Sequence, residues 1–316
     1  MLSFLKKIGN ANITITTAPS EPIAAAGVTE KPILPRPKNM NQVLKDAGFN
    51  FSASAVANQD LSGLVANGER LDRLNFSNAK IKKSELELAS LVNCNFTNAD
   101  FTGSKMSGAN LSGAILDGSD MSNTDLEGAN FENASMIKAK VKYVNAKNTS
   151  FNSANMKDVE MYVGSMVDSD LEGVFFRYAT IVSMDFSNSI MRSIDASSAK
   201  LGICRFYMAD LEGAIFEKSF LTGSDFLKAN LSNAILDGAN LGDASFVGAN
   251  LKGVSVKNAV FNNTIFDEQG ISDLGIDIQK TKGIKVINSS QLIELYGRDI
   301  DHVDMRSFRK KSKMLS

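Results

Sequence analysis

The 316 residues include no tryptophan, one histidine, two cysteines and five prolines, and each shortage closes off a class of protein. Two cysteines cannot build a disulfide framework in a chain this long, so a reducing compartment, or indifference to redox state, is expected. The single histidine, His302, and the two cysteines, Cys94 and Cys204, leave little from which to assemble a nucleophile with its base or a set of metal ligands. No CxxC, HExxH, GxSxG or phosphate-binding loop is present. No apolar run approaches the ~18 residues a membrane-spanning helix needs. The opening MLSFLKKIG has its lysines after the apolar group and lacks the core of a secretory signal. Charge of one sign is missing as well: 34 Lys and Arg stand against 35 Asp and Glu, so no direct nucleic-acid binding is expected. What is not lacking is core material, at 43% hydrophobic residues, and this excludes disorder throughout.

All five prolines fall between Pro19 and Pro37, among Ala, Thr and Glu. Such a stretch buries too little apolar surface to fold alone, and residues 1–38 read as a disordered leader and Pro-rich linker, with Leu2, Leu5 and Ile8 at helical spacing near its start. Residues 39–60 read as an N-terminal cap, with a short helix in NMNQVLKDAG between an Asn cap and a terminal Gly.

From there the chain repeats every five residues. Of the forty positions numbered in 1 or 6 from Leu71 to Phe266, all but Ala146 and Ala196 are large and apolar, and thirteen of the nineteen phenylalanines are among them. Two residues earlier, thirty-two of the forty are Ala, Ser, Thr, Cys or Gly. Five matches neither the 3.6 of a helix nor the 2 of a strand, so the chain must turn between copies. Within a copy the small and the large residue are two apart, which is strand alternation and sends both inward. The remaining positions, rich in Asp, Asn, Lys, Ser and Gly, face out and suit turns, and Gly103, Gly108 and Gly113 serve turn geometry rather than nucleotide binding.

Ala99-Asp100-Phe101, Ala109-Asn110-Leu111, Ala129-Asn130-Phe131, Ala209-Asp210-Leu211 and Ala249-Asn250-Leu251 carry the motif in full. In these the sequence resembles the pentapeptide-repeat proteins. The resemblance implies an all-β fold, a right-handed quadrilateral parallel β-helix with one pentapeptide per side, about ten to eleven coils over residues 61–276, and short helical caps. Residues twenty apart then stack. Phe186, Phe206, Phe226, Phe246 and Phe266 form an aromatic column, and Glu172, Arg192 and Glu212 an alternating charge ladder on the outside. Residues 277–316 read as a C-terminal cap helix over QLIELYG, with Leu292, Leu295 and Tyr296 at helical spacing, and a basic tail of Arg306, Arg309, Lys310, Lys311 and Lys313. Cys94 and Cys204 take small inward positions, and Asp170, Glu172, Asp210 and Glu212 look like a solvated face. No enzyme activity and no cofactor is expected.

Outward positions of the middle coils are unusually apolar: Tyr143, Tyr162, Val163, Val182 and Ile203 on one side, and Val167, Tyr207, Met208, Leu227 and Val247 on the next. Together they are expected to make one continuous apolar area for a protein partner or a homodimer. Charge separates along the chain: residues 60–268 hold nineteen basic and twenty-six acidic groups, while both flanks are net basic. Some family members resemble duplex DNA in size and charge and bind type II topoisomerases such as gyrase, giving quinolone protection. Others are bacterial effectors delivered into a host cell behind an unfolded leader. The sequence therefore points to a protein–protein interaction scaffold, cytoplasmic or delivered by a specialised secretion system, with DNA mimicry toward a topoisomerase as the alternative.

Overall fold

A computed structural model describes residues 40–50, 52–288 and 291. Each pentapeptide contributes one tight turn and one extended residue. The large residue's carbonyl accepts from the N–H three positions on, as in Ala109 N to Met106 O at 3.0 Å. The third residue of the turn has a left-handed backbone, with φ +65° at Gly108 and +57° at Asn98. Glycine and asparagine enter that region most readily, which explains their abundance at numbers ending in 3 or 8.

The extended residue bridges in parallel to its counterpart twenty residues on, and four such columns run side by side, starting at Asp60, Val65, Arg70 and Asn75. Leu111 N donates to Asn130 O at 2.7 Å, and Asn110 N to Ala89 O at 2.8 Å. The register of twenty holds without a slip from Asp60 to Ile265, about ten coils of a quadrilateral parallel β-helix. The strand register explains why the repeat contains no proline, which would remove a rung donor.

The core is the inside of this square. Leu111 and Leu231 are wholly buried, as are the large inward residues from Leu71 to Leu251. At several small inward positions, hydroxyls donate to the carbonyl 23 residues earlier: Ser104 Oγ to Ile81 O at 2.6 Å, Thr149 Oγ1 to Leu126 O at 2.8 Å and Ser224 Oγ to Leu201 O at 2.7 Å. These bonds satisfy polar atoms that would otherwise be buried without partners. The two exceptions among the large positions are compensated locally. Ala146 follows Val144 and Ala196 follows Ile194, all four buried, so volume lost at one inward seat is restored at the other. The five-membered phenylalanine column stands as expected, with centroid separations of 5.3, 4.7, 4.8 and 5.1 Å and rings within 9° of parallel.

Helix α1 (Met40–Asp46) buries Met40, Val43 and Leu44 and joins the core ahead of the first coil. A 3-10 turn, Ala53–Ala55, follows it. In four middle coils the pairing widens into strands β1 (Lys140–Asn145), β2 (Glu160–Ser165), β3 (Thr180–Asp185) and β4 (Lys200–Gly202), one parallel sheet in chain order.

The other end differs from the expectation. The weak copies at Ile271 and Ile276 do not form coils: strand β5 (Thr264–Asp267) leads into helix α2 (Glu268–Leu274). The cause is local capping. Asp267 Oδ1 accepts from Gly270 N at 2.7 Å, and Gly275 closes the helix with φ +58°. Strand β6 (Ile284–Ile287) then pairs parallel with β5, Ile265 opposite Lys285, restoring the spacing of twenty on that one side. The leader over 1–38, the cap helix beyond Gln291, His302 and the basic tail lie outside the described residues.

Candidate interaction surface

Strands β1 to β3 pair on both sides of a corner of the square: Lys142 opposite Tyr162 before it and Val144 opposite Gly164 after it. Between these lie Tyr143, Val163 and Ser183, with φ of +56°, +53° and +58°, and Ile203 continues the column at +58°. For β-branched Val163 and Ile203 this backbone is a true outlier, because Cβ crowds the following carbonyl. Close packing on the inner side fixes the corner. A Cβ at Gly164 would lie 2.7 Å from Val144 O and 3.2 Å from Met184 Cε, so the bulk of Val144 and Met184 requires glycine between them.

The candidates fall into two groups. Tyr143 is 55% exposed and Ile203 49%, with Tyr162, Val163 and Val182 half-buried beside them on the first corner. On the next corner Met208 is 51% exposed, and Val167 and Tyr207 are half-buried. Leu227 and Val247 are not available: they are 1% and 2% exposed. They follow Tyr207 at successive levels of one column, where bulky side chains at strand spacing shield one another. The two corners also do not merge into one apolar area. The column between them is polar, with Asn145, Ser165, Asp185 and Arg205 at consecutive levels, and Arg205 Nη1 lies 3.5 Å from Asp185 Oδ2. The first corner has a basic flank, since Lys142 Nζ sits 5.2 Å from the Tyr162 ring centroid and 3.3 Å from Glu160 Oε2.

Some external charges pair at the ladder spacing of twenty, as Lys105 with Glu85, but Arg192 does not join the expected ladder. Arg192 Nε contacts Asp210 Oδ2 at 2.6 Å rather than alternating with Glu172 and Glu212. A corner side chain reaches inward along the next coil, a separation of eighteen, as in Arg177 to Asp195 at 2.5 Å and Lys82 to Asp100 at 2.8 Å. At Asp195, burial pushes the carboxyl up, but hydrogen bonds from Ser197 and the Arg177 guanidinium outweigh it and hold it below the usual range. Asp170 accepts from Glu172 N and Asp210 from Glu212 N, so these carboxylates close turns. Cys94 and Cys204 are buried, and burial pushes both thiols up to about 12. Among the described residues no group of three His, Cys, Asp or Glu is placed to hold a metal ion, and no helix is long and apolar enough to cross a membrane.

Further exposed apolar side chains were missed in the sequence: Phe175, Ile235 and Phe220 at mid-side positions and Tyr178 at the corner between the two sides, interrupted by Asp195 and Lys200. The signal was there to be read: Phe175, Ile215, Phe220 and Ile235 occupy the motif position that elsewhere holds Asp or Asn.

Four columns of parallel rungs closed around a solid core define a parallel β-solenoid. The family model for pentapeptide repeats matches residues 70–108, 94–133, 104–142 and 204–243. Eight copies match, so the chain carries pentapeptide repeats. It is similar to the crystal structure of HetL, a pentapeptide repeat protein involved in heterocyst differentiation regulation from the cyanobacterium Nostoc sp. strain PCC 7120, at 24% identity over 71% of this chain and 94% of that one, with a TM-score of 0.51. A pentapeptide repeat protein of the Arabidopsis thaliana thylakoid lumen shares 28% identity over 34% of this chain and 72% of its own, with a TM-score of 0.28. QnrB1, a plasmid-mediated fluoroquinolone resistance protein, shares 21% identity over 70% and 97%, with a TM-score of 0.38. The likeness to HetL speaks for the fold alone. No curated protein matches the sequence.

Proposed function

We propose that the protein is a non-enzymatic interaction scaffold that binds a protein partner through the corner formed by β1 to β4. One observation carries this reading: Val163 and Ile203 hold β-branched side chains in a left-handed backbone at a partly exposed corner, beside half-exposed Tyr143. Strain of this kind costs about 1–3 kcal/mol per residue and persists where it serves something other than stability. Exposed Tyr and aliphatic side chains suit the core of an interface. The buried thiols and the turn-closing carboxylates leave little for chemistry. Affinity capture with the full chain and a Tyr162→Asp variant tests the site. The variant is expected to melt normally and lose the partner; undiminished capture would refute the surface, and a loss of self-association by light scattering would make the partner a second copy. Delivery into a host cell is the proposed setting, and transfer undiminished by deletion of residues 1–38 would dispose of it.

A second reading, DNA mimicry toward a type II topoisomerase, is favoured by the acidic excess of residues 60–268, twenty-six against nineteen. Duplex DNA carries one charge per ~1.7 Å, so this excess is thin mimicry. Protection of purified gyrase against a quinolone tests it, and no protection at micromolar protein would remove it.

A further inference from the structure

The last full coil ends in an open β-edge. One level below, Leu236 N donates to Ser255 O at 2.7 Å, Gly238 N to Lys257 O at 2.8 Å, and Ala234 O accepts from Ser255 N at 3.0 Å. The equivalent groups above them, Val256 N, Asn258 N and Val254 O, make no hydrogen bond among the described residues. The reason is topological: α2 replaces the next coil, and β6 rejoins the stack only along β5. The core is uncovered at the same place. Val254, Val256 and Ala259 are partly exposed, whereas Ala234, Leu236 and Ala239 beneath them are buried. A groove of about 510 Å³ lies against this edge, lined by Val256, Ala259, Phe261, Ile276, Lys280 and Lys282 among others.

The surroundings are basic. Lys252, Lys257, Lys280 and Lys282 are all exposed. Lys280 contacts Asp277 at 3.0 Å, and the other three make no ion pair among the described residues.

We propose that this edge is a strand-addition site for an extended acidic segment of a partner protein. Its backbone carbonyls accept from Val256 N and Asn258 N, and one of its N–H groups donates to Val254 O, continuing the parallel rungs by one level. Alternate side chains enter the groove over Val256 and Ala259, and carboxylates between them face the lysines. Charge disfavours a second copy, which would bring the same lysines to the contact, and the last eleven residues of this chain, with Arg306, Arg309, Lys310, Lys311 and Lys313 and no acid. The stretch before them, with Glu294, Asp299, Asp301 and Asp304 against Arg298, is the competitor that the test separates. The site is separate from the β1 to β4 corner and does not depend on it.

The test uses the full chain and two labelled peptides, one alternating valine with glutamate and one alternating valine with lysine. Fluorescence anisotropy is expected to show binding of the acidic peptide alone, about tenfold weaker in a Lys257→Glu, Lys282→Glu double variant. The amides of Val256 and Asn258, fast to exchange in the free chain, are expected to become protected when the acidic peptide is added. Failure of the acidic peptide to bind, equal binding of both peptides, or indifference to the double variant would overturn the proposal. So would protection of these amides without peptide: a dimer by light scattering would then assign the edge to a second copy, and a monomer to the chain's own end.

Discussion

At the scale of the residue, the Asp or Asn of the motif is a turn device. Its side-chain oxygen accepts from the N–H two positions on, as in Thr102 N to Asp100 Oδ1 at 3.0 Å and Ser232 N to Asn230 Oδ1 at 3.2 Å. This commits the motif carboxylates, Asp100 and Asp170 among them, to their own turns. Asp195 adds a charged partner, and its folded pKa lies below the unfolded value of ~3.9. A depressed carboxyl contributes stability above the unfolded pKa and loses it as pH falls through the folded one. The urea midpoint is therefore expected to drop as pH falls below about 4, and Asp195→Asn to flatten part of that slope. Parallel denaturation curves at pH near 5 and near 3 check this, and an unchanged slope in the variant would show that the Arg177 contact does not carry it.

At the scale of the element, a side of the square is a single rung between two turns, too short to stand alone. What makes it stable is repetition, since each rung is bonded above and below and each large side chain lies on its counterpart. The phenylalanine column shows this most clearly. Its four stacked contacts are worth ~0.5–1.5 kcal/mol each beyond burial. A charge inside it has no partner, so Phe226→Asp is expected to cost several kcal/mol and to abolish the cooperative melt followed by circular dichroism. A normal melting curve for that variant would contradict the inward assignment. Inward and outward positions were legible in the sequence because period five leaves only two seats per copy facing the core. The width of a side was not. That is why Val167 and Met208 were joined to Tyr143 and Ile203 as one area, although Asn145, Ser165, Asp185 and Arg205 run between them.

At the scale of the whole molecule, the sequence and the structure agree wherever the repeat alone decides and part where a local signal competes with it. The unbroken register from Asp60 to Ile265 follows from numbering every fifth residue. The end of the coils does not, because Ile271 and Ile276 keep the phase while Asp267 and Gly275 cap a helix across it. Burial of Leu227 and Val247 was likewise hidden, since both stand in seats that elsewhere face out. The left-handed corner was legible only in part: glycine and asparagine mark it in most coils, yet Val163 and Ile203 take the same backbone without their ease. The structure keeps these two where asparagine would relax the chain by about 1–2 kcal/mol per residue. We propose that the strain is retained for binding, and a Val163→Asn, Ile203→Asn double variant tests this by melting temperature and partner capture measured together. The double variant is expected to melt at a higher temperature and to lose capture. A lower melting temperature, or capture as strong as that of the unmodified chain, would contradict it.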